Sequence, residues 1–214
     1  MEIKSYNFSS IKYSDLEQIV SIISKIDDAK FGEWFGFIYE IGDLDTEFLQ
    51  NLITKHRRRL ASYMEEDLKA KFLIPILNRV DFMTNYFQDW YEPTFGGLVN
   101  GYELKGFVDY MIAKGETEPK NPYFFIQEFK PSTPDRNPEY QLLAEMLVAI
   151  EKNERTIFRG GYIIGQYWKF VILEKIGENQ FEYFVSESFD ALKINDLKQI
   201  YIILQAVKHK YCVD

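Results

Sequence analysis

The chain is poor in soft metal ligands: Cys212 is its only cysteine, and His56 and His209 are its only histidines. One chain therefore cannot assemble a zinc site of four Cys/His ligands. A reducing compartment fits this usage, and an oxygen-ligated metal stays open. No uninterrupted apolar run approaches the ~20 residues needed to cross a bilayer. The start, MEIKSYNFSS, has no apolar stretch between a basic end and a small-residue cleavage site. The expectation is a soluble, unexported, cytoplasmic protein. Excess positive charge is missing too. Lys and Arg number 25 against 33 Asp and Glu, a net charge of −8, which works against sequence-blind attachment to phosphates by the overall field.

Several nucleotide and hydrolase signatures are also missing. No Gly-x-Gly-x-x-Gly fingerprint is present, and GYELKGF from Gly101 has P-loop glycine spacing without the Lys-Ser/Thr that must follow. It reads instead as a hairpin turn at Asn100-Gly101. No Gly-x-Ser-x-Gly elbow supports a Ser-His-Asp triad. Without repeats, low-complexity tracts or Gly/Ser linkers, no strong boundary divides the chain.

What is present is ample core material: 214 residues, 46% hydrophobic and 17% aromatic, enough for a single domain over 1–214. Residues 1–60 read as an N-terminal helical extension and 61–214 as the core. SDLEQIVSIISKI predicts a helix with a Ser14/Glu17 capping box and an apolar face of Leu16, Ile19, Val20, Ile23 and Ile26. KFGEWFGFIYEIGD has no clear period. Helical spacing resumes at Asp45 and continues to Val80, with Pro75 marking a kink or junction. Within it HRRR (His56 to Arg59) is the one dense basic run, either a solvated surface or a set of phosphate contacts. Asp81 to Pro93 is aromatic and reads as helix or loop; YFQDWYEPTF could stack bases, though packing is favoured.

From Phe95 the pattern becomes short strands: GGLV, NGYE, KGFVDYMI and YFFIQEFK. A helix follows, with Asn137 as N-cap, Pro138 at its first position and Leu143, Met146, Leu147 and Ile150 on one face. Strands in GGYIIG, YWKFVILEK and FEYFVSES lead to a final helix with Leu197, Ile200, Tyr201, Leu204 and Val207 at helical spacing. This order predicts an α/β (α+β) fold, a central mixed sheet flanked by helices.

Two of these strands carry charge where apolar residues are expected. Alternation puts Glu128 and Lys130 on one face with Phe124 and Ile126, and Phe125, Gln127 and Phe129 on the other. Asp109 lies between Val108 and Tyr110. If the two segments are neighbours, two carboxylates and an ammonium converge. Paired carboxylates repel unless a proton or a cation lies between them, and Mg²⁺ (or Mn²⁺) suits one or two carboxylates with water and phosphate completing the shell. Such an ion would activate water for phosphodiester hydrolysis while the lysine offsets developing charge. Glu-x-Lys occurs four times, at Glu2, Glu103, Glu118 and Glu128, so the tripeptide alone is unspecific; a cross-strand ion pair is the structural alternative.

VDYMI followed by FFIQEFK resembles the restriction-endonuclease-like, or PD-(D/E)XK, nuclease superfamily. EEDLKAKFLIPILNRVDF is similar to the helix before the sheet in the nuclease portion of type I restriction enzyme R subunits. The resemblance spans about Glu65 to Leu173, with Val108 in place of the motif's proline and the bulky Phe129 between Glu128 and Lys130. It implies a restriction-endonuclease-like core and a nuclease acting on nucleic acid, DNA before RNA. The metal ligands would be Asp109, Glu128 and the Gln127 carbonyl, with Lys130 orienting water. Glu65 or Glu66 would assist from the preceding helix, and Gln141, with Glu145 one turn later, from the following one. No membrane partner is expected, and a homodimer is left open. Two other functions stay open beside it: a non-catalytic module binding nucleic acid or protein, and a phosphoesterase acting on small nucleotides.

Overall fold

The computed structural model describes residues 3–134 and 136–212, with Phe124 and Ile126 described by their main chain only. The fold is mixed α/β, a large mixed sheet with flanking helices. The chain begins with β1 (Ser5–Asn7), α1 (Tyr13–Ile19) and β2 (Ser21–Lys25). The helix predicted over SDLEQIVSIISKI is thus cut short. Val20 turns extended, and Ser21–Lys25 pairs in parallel with a later strand. Ile23 and Ile26, assigned to the helix face, are exposed, whereas Leu16, Ile19, Val20 and Ile22 are buried. The β-branched run suits a strand as well as a helix, and a free sheet edge decides between them. The cap also differs: the Lys12 N–H donates to the Asp15 carboxylate at 2.9 Å.

Next come α2 (Gly32–Phe35) and α3 (Asp43–His56). The predicted continuous helix to Val80 breaks after His56 and resumes as α4 (Glu65–Leu68), a π turn (Lys69–Leu73) and α5 (Ile74–Val80). Pro75 explains the π turn. It has no N–H to give Lys71, so the ladder shifts and the Ile74 N–H bonds the Lys69 carbonyl instead. The segment read as helix or loop contains β3 (Phe87–Tyr91).

The strand block is β4 (Thr94–Val99), β5 (Tyr102–Phe107), β6 (Tyr110–Lys114) and β7 (Lys120–Lys130). Val99 faces Tyr102 across the expected turn, where Asn100 and Gly101 both take positive φ. Helix α6 (Pro138–Asn153) has the predicted cap, the Asn137 side chain accepting the Glu139 N–H at 3.0 Å. Then follow β8 (Ile157–Ile164), β9 (Tyr167–Gly177), β10 (Gln180–Val185), β11 (Phe189–Asp190) and α7 (Ile194–Tyr211).

The large sheet has the order β2-β10-β9-β8-β7-β6-β3, with β11 beside β9; a small sheet has the order β1-β5-β4. In the large sheet β7/β8 and β2/β10 are parallel. Parallel neighbours need a crossover, and α6 makes the one between β7 and β8. One face of the large sheet carries a core shared with α3, α5 and α7, and the other a core shared with α1, α6 and the small sheet. Each fully buried Leu, Ile or Phe here contributes about 1.5–3 kcal/mol. The N-terminal residues do not stand apart as a helical extension, because β2 completes one edge of the large sheet and α3 packs into its core. Among the described residues no helix is long and apolar enough to cross a membrane.

Candidate active site

The predicted strand KGFVDYMI is two strands. β5 ends at Phe107 in the small sheet and β6 starts at Tyr110 in the large one, so Val108 and Asp109 bridge the sheets. Val108 is buried in one core and Tyr110 in the other, which anchors Asp109 on both sides. Beyond the Tyr110–Gln127 pair the two strands part. The Asp109 carboxylate fills the opening, its Oδ2 accepting the Phe129 N–H at 2.8 Å, while the Asp109 N–H points to Glu128 Oε1 at 3.4 Å.

Glu128 and Lys130 share a face at the end of β7, as alternation requires. Lys130 Nζ lies 3.5 Å from Glu128 Oε2, 3.7 Å from Asp109 Oδ2 and 3.7 Å from Glu65 Oε2. The structure therefore brings Asp109, Glu128 and Lys130 together and decides between the two helix glutamates. Glu65 faces the site, while Glu66 is 84% exposed at its side chain and, among the described residues, has its one ion pair with Lys69, at 3.9 Å. From α6, Gln141 Nε2 donates to Glu145 Oε1 at 3.2 Å, and Glu145 is wholly buried beside Glu128.

Gln127, whose carbonyl was the third candidate ligand, lies inside the sheet, paired on both sides with Tyr110 and with Gly161. Its side chain points to the opposite face from Glu128, as alternation requires, and is fully buried with neither amide atom hydrogen-bonded. The open end of β7 lies two residues further on, where the Phe129 N–H meets Asp109.

Two participants have no counterpart in the sequence reading. Lys69, held on the π turn, places its ammonium 2.9 Å from Asp109, 3.0 Å from Glu65 and 3.0 Å from Glu92. Its i,i+4 spacing from Glu65 was visible in the sequence; its partners across the fold were not. Glu92 carried no signal. It lies between β3 and β4 with φ of +51°, a conformation a residue before proline rarely takes. Such strain costs on the order of 1–3 kcal/mol and collects at functional sites.

Burial pushes the Glu128 carboxyl well up, and Glu145 and Asp109 push it further, while Lys130 pulls it down. Burial likewise raises Glu145. Oε2 of each has no donor, and the two carboxyls contact each other, which favours a proton on the pair. Burial acts to lower both ammoniums. For Lys69 it is more than offset by Asp109, Glu92 and Glu65, and for Lys130 by Glu128, Asp109 and Glu65, so both stay charged. The carboxyls of Glu65, Glu92, Asp109, Glu128 and Glu145 gather round two ammoniums. Carboxyls outnumber the cations beside them, an excess that a bound cation would reduce.

The donor set is all oxygen, which fits a hard dication rather than zinc. Glu128 Oε2, buried without a donor, and Asp109 are the residues placed to hold it. Among the described residues no three carboxylate, imidazole or thiol groups form a ready-made ion site; Lys69 occupies the space between Asp109, Glu65 and Glu92. The side chains of Glu65 and Glu92, 33% and 57% exposed, mark where the site opens. No known family model matches the chain, and no curated protein matches it in sequence.

Proposed function

We propose that this chain is a divalent-metal-dependent nuclease of the PD-(D/E)XK type, hydrolysing phosphodiester bonds in DNA, in the cytoplasm. One observation carries the reading: Asp109 at a junction of two sheets and Glu128 on the next strand lie within 3.7 Å of the same Lys130 ammonium. An ion pair serving stability alone needs neither a second carboxylate nor full burial of Glu128, because burying an ionised pair is costly and often brings no net gain.

Mg²⁺ or Mn²⁺, when bound, would polarise a phosphoryl oxygen and lower the pKa of a water. Asp109 and Glu128 would hold it. Lys130 is placed to hydrogen-bond the attacking water and to offset charge on the phosphoryl oxygens. Glu65 faces the same space and can accept a hydrogen bond from that water. Gln141 fixes Glu145, which keeps Glu128 in place from behind.

The test is divalent-dependent nicking of supercoiled plasmid. Wild type is expected to cut with Mg²⁺ or Mn²⁺ and not with EDTA, and Asp109→Ala and Lys130→Ala are expected to lose at least a hundredfold, in the range typical for electrostatic and acid–base groups, roughly 10²–10⁴. Equal cutting by both variants discards the assignment. A second reading, a non-catalytic module with this fold, is favoured by Lys69, whose ammonium satisfies Asp109, Glu65 and Glu92 without an ion. It predicts no heat of Mg²⁺ or Mn²⁺ binding in a calorimetric titration.

A further inference from the structure

The basic run at the end of α3 takes no part in the site described above. The helix ends at His56, whose ring turns inward, 5% exposed, with Nδ1 2.8 Å from the Tyr63 hydroxyl. The chain then makes a turn, the Arg59 N–H bonding the His56 carbonyl, and Lys55, Arg57, Arg58 and Arg59 are thrown outward and exposed. Lys55 and Arg59 line an open groove of about 470 Å³ together with Tyr63 and Lys71. The Lys71 ammonium lies 5.3 Å from the centre of the Tyr63 ring.

The density of unpaired charge, four cations within five residues, sets this patch apart. Elsewhere Lys30, Lys105, Lys175 and Lys210 each hold a carboxylate at 2.6–2.7 Å. None of Lys55, Arg57, Arg58 and Arg59 has an ion pair among the described residues; Lys71, on the groove wall, is paired with Asp67. In a chain of net charge −8 carboxylates were plentiful, and none is spent here. Complementing the α3 dipole accounts for Lys55. It does not account for Arg57 to Arg59, which lie past the last helical residue, nor for Lys71 on another element.

We propose that this groove binds the phosphate backbone of duplex DNA. Lys55 and Arg59 on the groove wall, with Arg57 and Arg58 exposed on the adjoining turn, suit a row of phosphates better than one small anion, which would need converging buried donors. The π turn ties the groove to the candidate active site, presenting Lys69 to Asp109 and Lys71 to the groove. A helix is about 10–12 Å across, or about three nucleotide steps at 3.4 Å per step. The relation to cleavage rests on the nuclease reading; the binding itself does not.

The test uses the full chain, a fluorescently labelled 20-base-pair duplex and EDTA, with anisotropy read from 50 to 200 mM salt. The variant carries Lys55→Ala, Arg57→Ala, Arg58→Ala and Arg59→Ala, all exposed positions whose loss leaves no partner stranded. At about 0.9 per phosphate contact, the slope of log K against log salt is expected to fall by about 3 to 4 and the affinity at least tenfold. A variant with all three arginines replaced by lysine is expected to bind as wild type does. Unchanged affinity and slope in the alanine variant overturn the proposal. So does binding of a mononucleotide or inorganic phosphate as tightly as the duplex, or of anionic vesicles instead of it. Asp109→Ala separates the two ideas. Duplex binding through the groove by a wild type that never cuts would uphold the groove and defeat the nuclease reading. Wild-type kcat/KM for cleavage in the alanine variant, with Asp109→Ala inactive, would do the reverse.

Discussion

Replacing Lys69 by methionine removes a cation and keeps the length of the side chain. The Lys69 side chain is 9% exposed, with Asp109, Glu65 and Glu92 at 2.9–3.0 Å. Stranding a buried charge costs about 3–5 kcal/mol, but Glu65 and Glu92 are exposed enough to turn to water. Asp109 retains the Phe129 N–H and Lys130. A loss of about 2–3 kcal/mol is therefore expected without metal, a fall in Tm of roughly 4–12 °C for a chain of this size. A divalent ion should restore it. At a hundred times Kd, binding adds about 2.7 kcal/mol, and in Lys69→Met the ion no longer competes with an ammonium for Asp109. Thermal unfolding with EDTA and with rising Mn²⁺ measures both effects. The variant should gain more from the ion than wild type gains and at lower concentration. Equal shifts in the two proteins would refute the view that Lys69 stands where a cation belongs.

The Glu128–Glu145 pair gives a pH signature. Both carboxyls are pushed up by burial, so the native state keeps a proton that the unfolded chain releases above about pH 4.3. Stability then falls as pH rises, by up to about 1.4 kcal/mol per pH unit for each retained proton. Glu145→Gln, which cannot titrate there, should flatten the decline in urea unfolding between pH 5 and 8; an unchanged slope rules out a shared proton. Asn137→Ala removes the cap of α6 and should cost about 1 kcal/mol in the same assay. Divalent affinity by calorimetry should be unaffected, since the cap lies a turn ahead of Gln141.

Much of the site was legible because strand alternation is a local rule. Glu128 and Lys130 had to share a face, and the acid in VDYMI had to sit near them if the strands were neighbours. Less legible was how each local segment would be used. VSIISK fits a helix period and a strand equally, and only the exposed edge of β10 selects the strand. The helix over HRRR ends because His56 turns in to meet Tyr63, a contact between residues whose pairing no local pattern announces. That Gln127 would be paired on both sides, with Tyr110 and with Gly161, depends on which strands become its neighbours.

Sequence alone determined which residue types the site could use, since with one cysteine and two histidines oxygen ligands are what a metal could find. It also determined the Asn137 cap of α6, the Asn100-Gly101 turn and the alternation along β7, all set by bonds and sterics within a few residues. Tertiary structure decided the rest. It chose Glu65 over Glu66, brought Glu92 and Lys69 to Asp109, and gathered separate cations round one groove. Those outcomes depend on which surfaces the core packs together, and charges from distant elements interact only once packing has brought them within a few ångströms and taken water from between them.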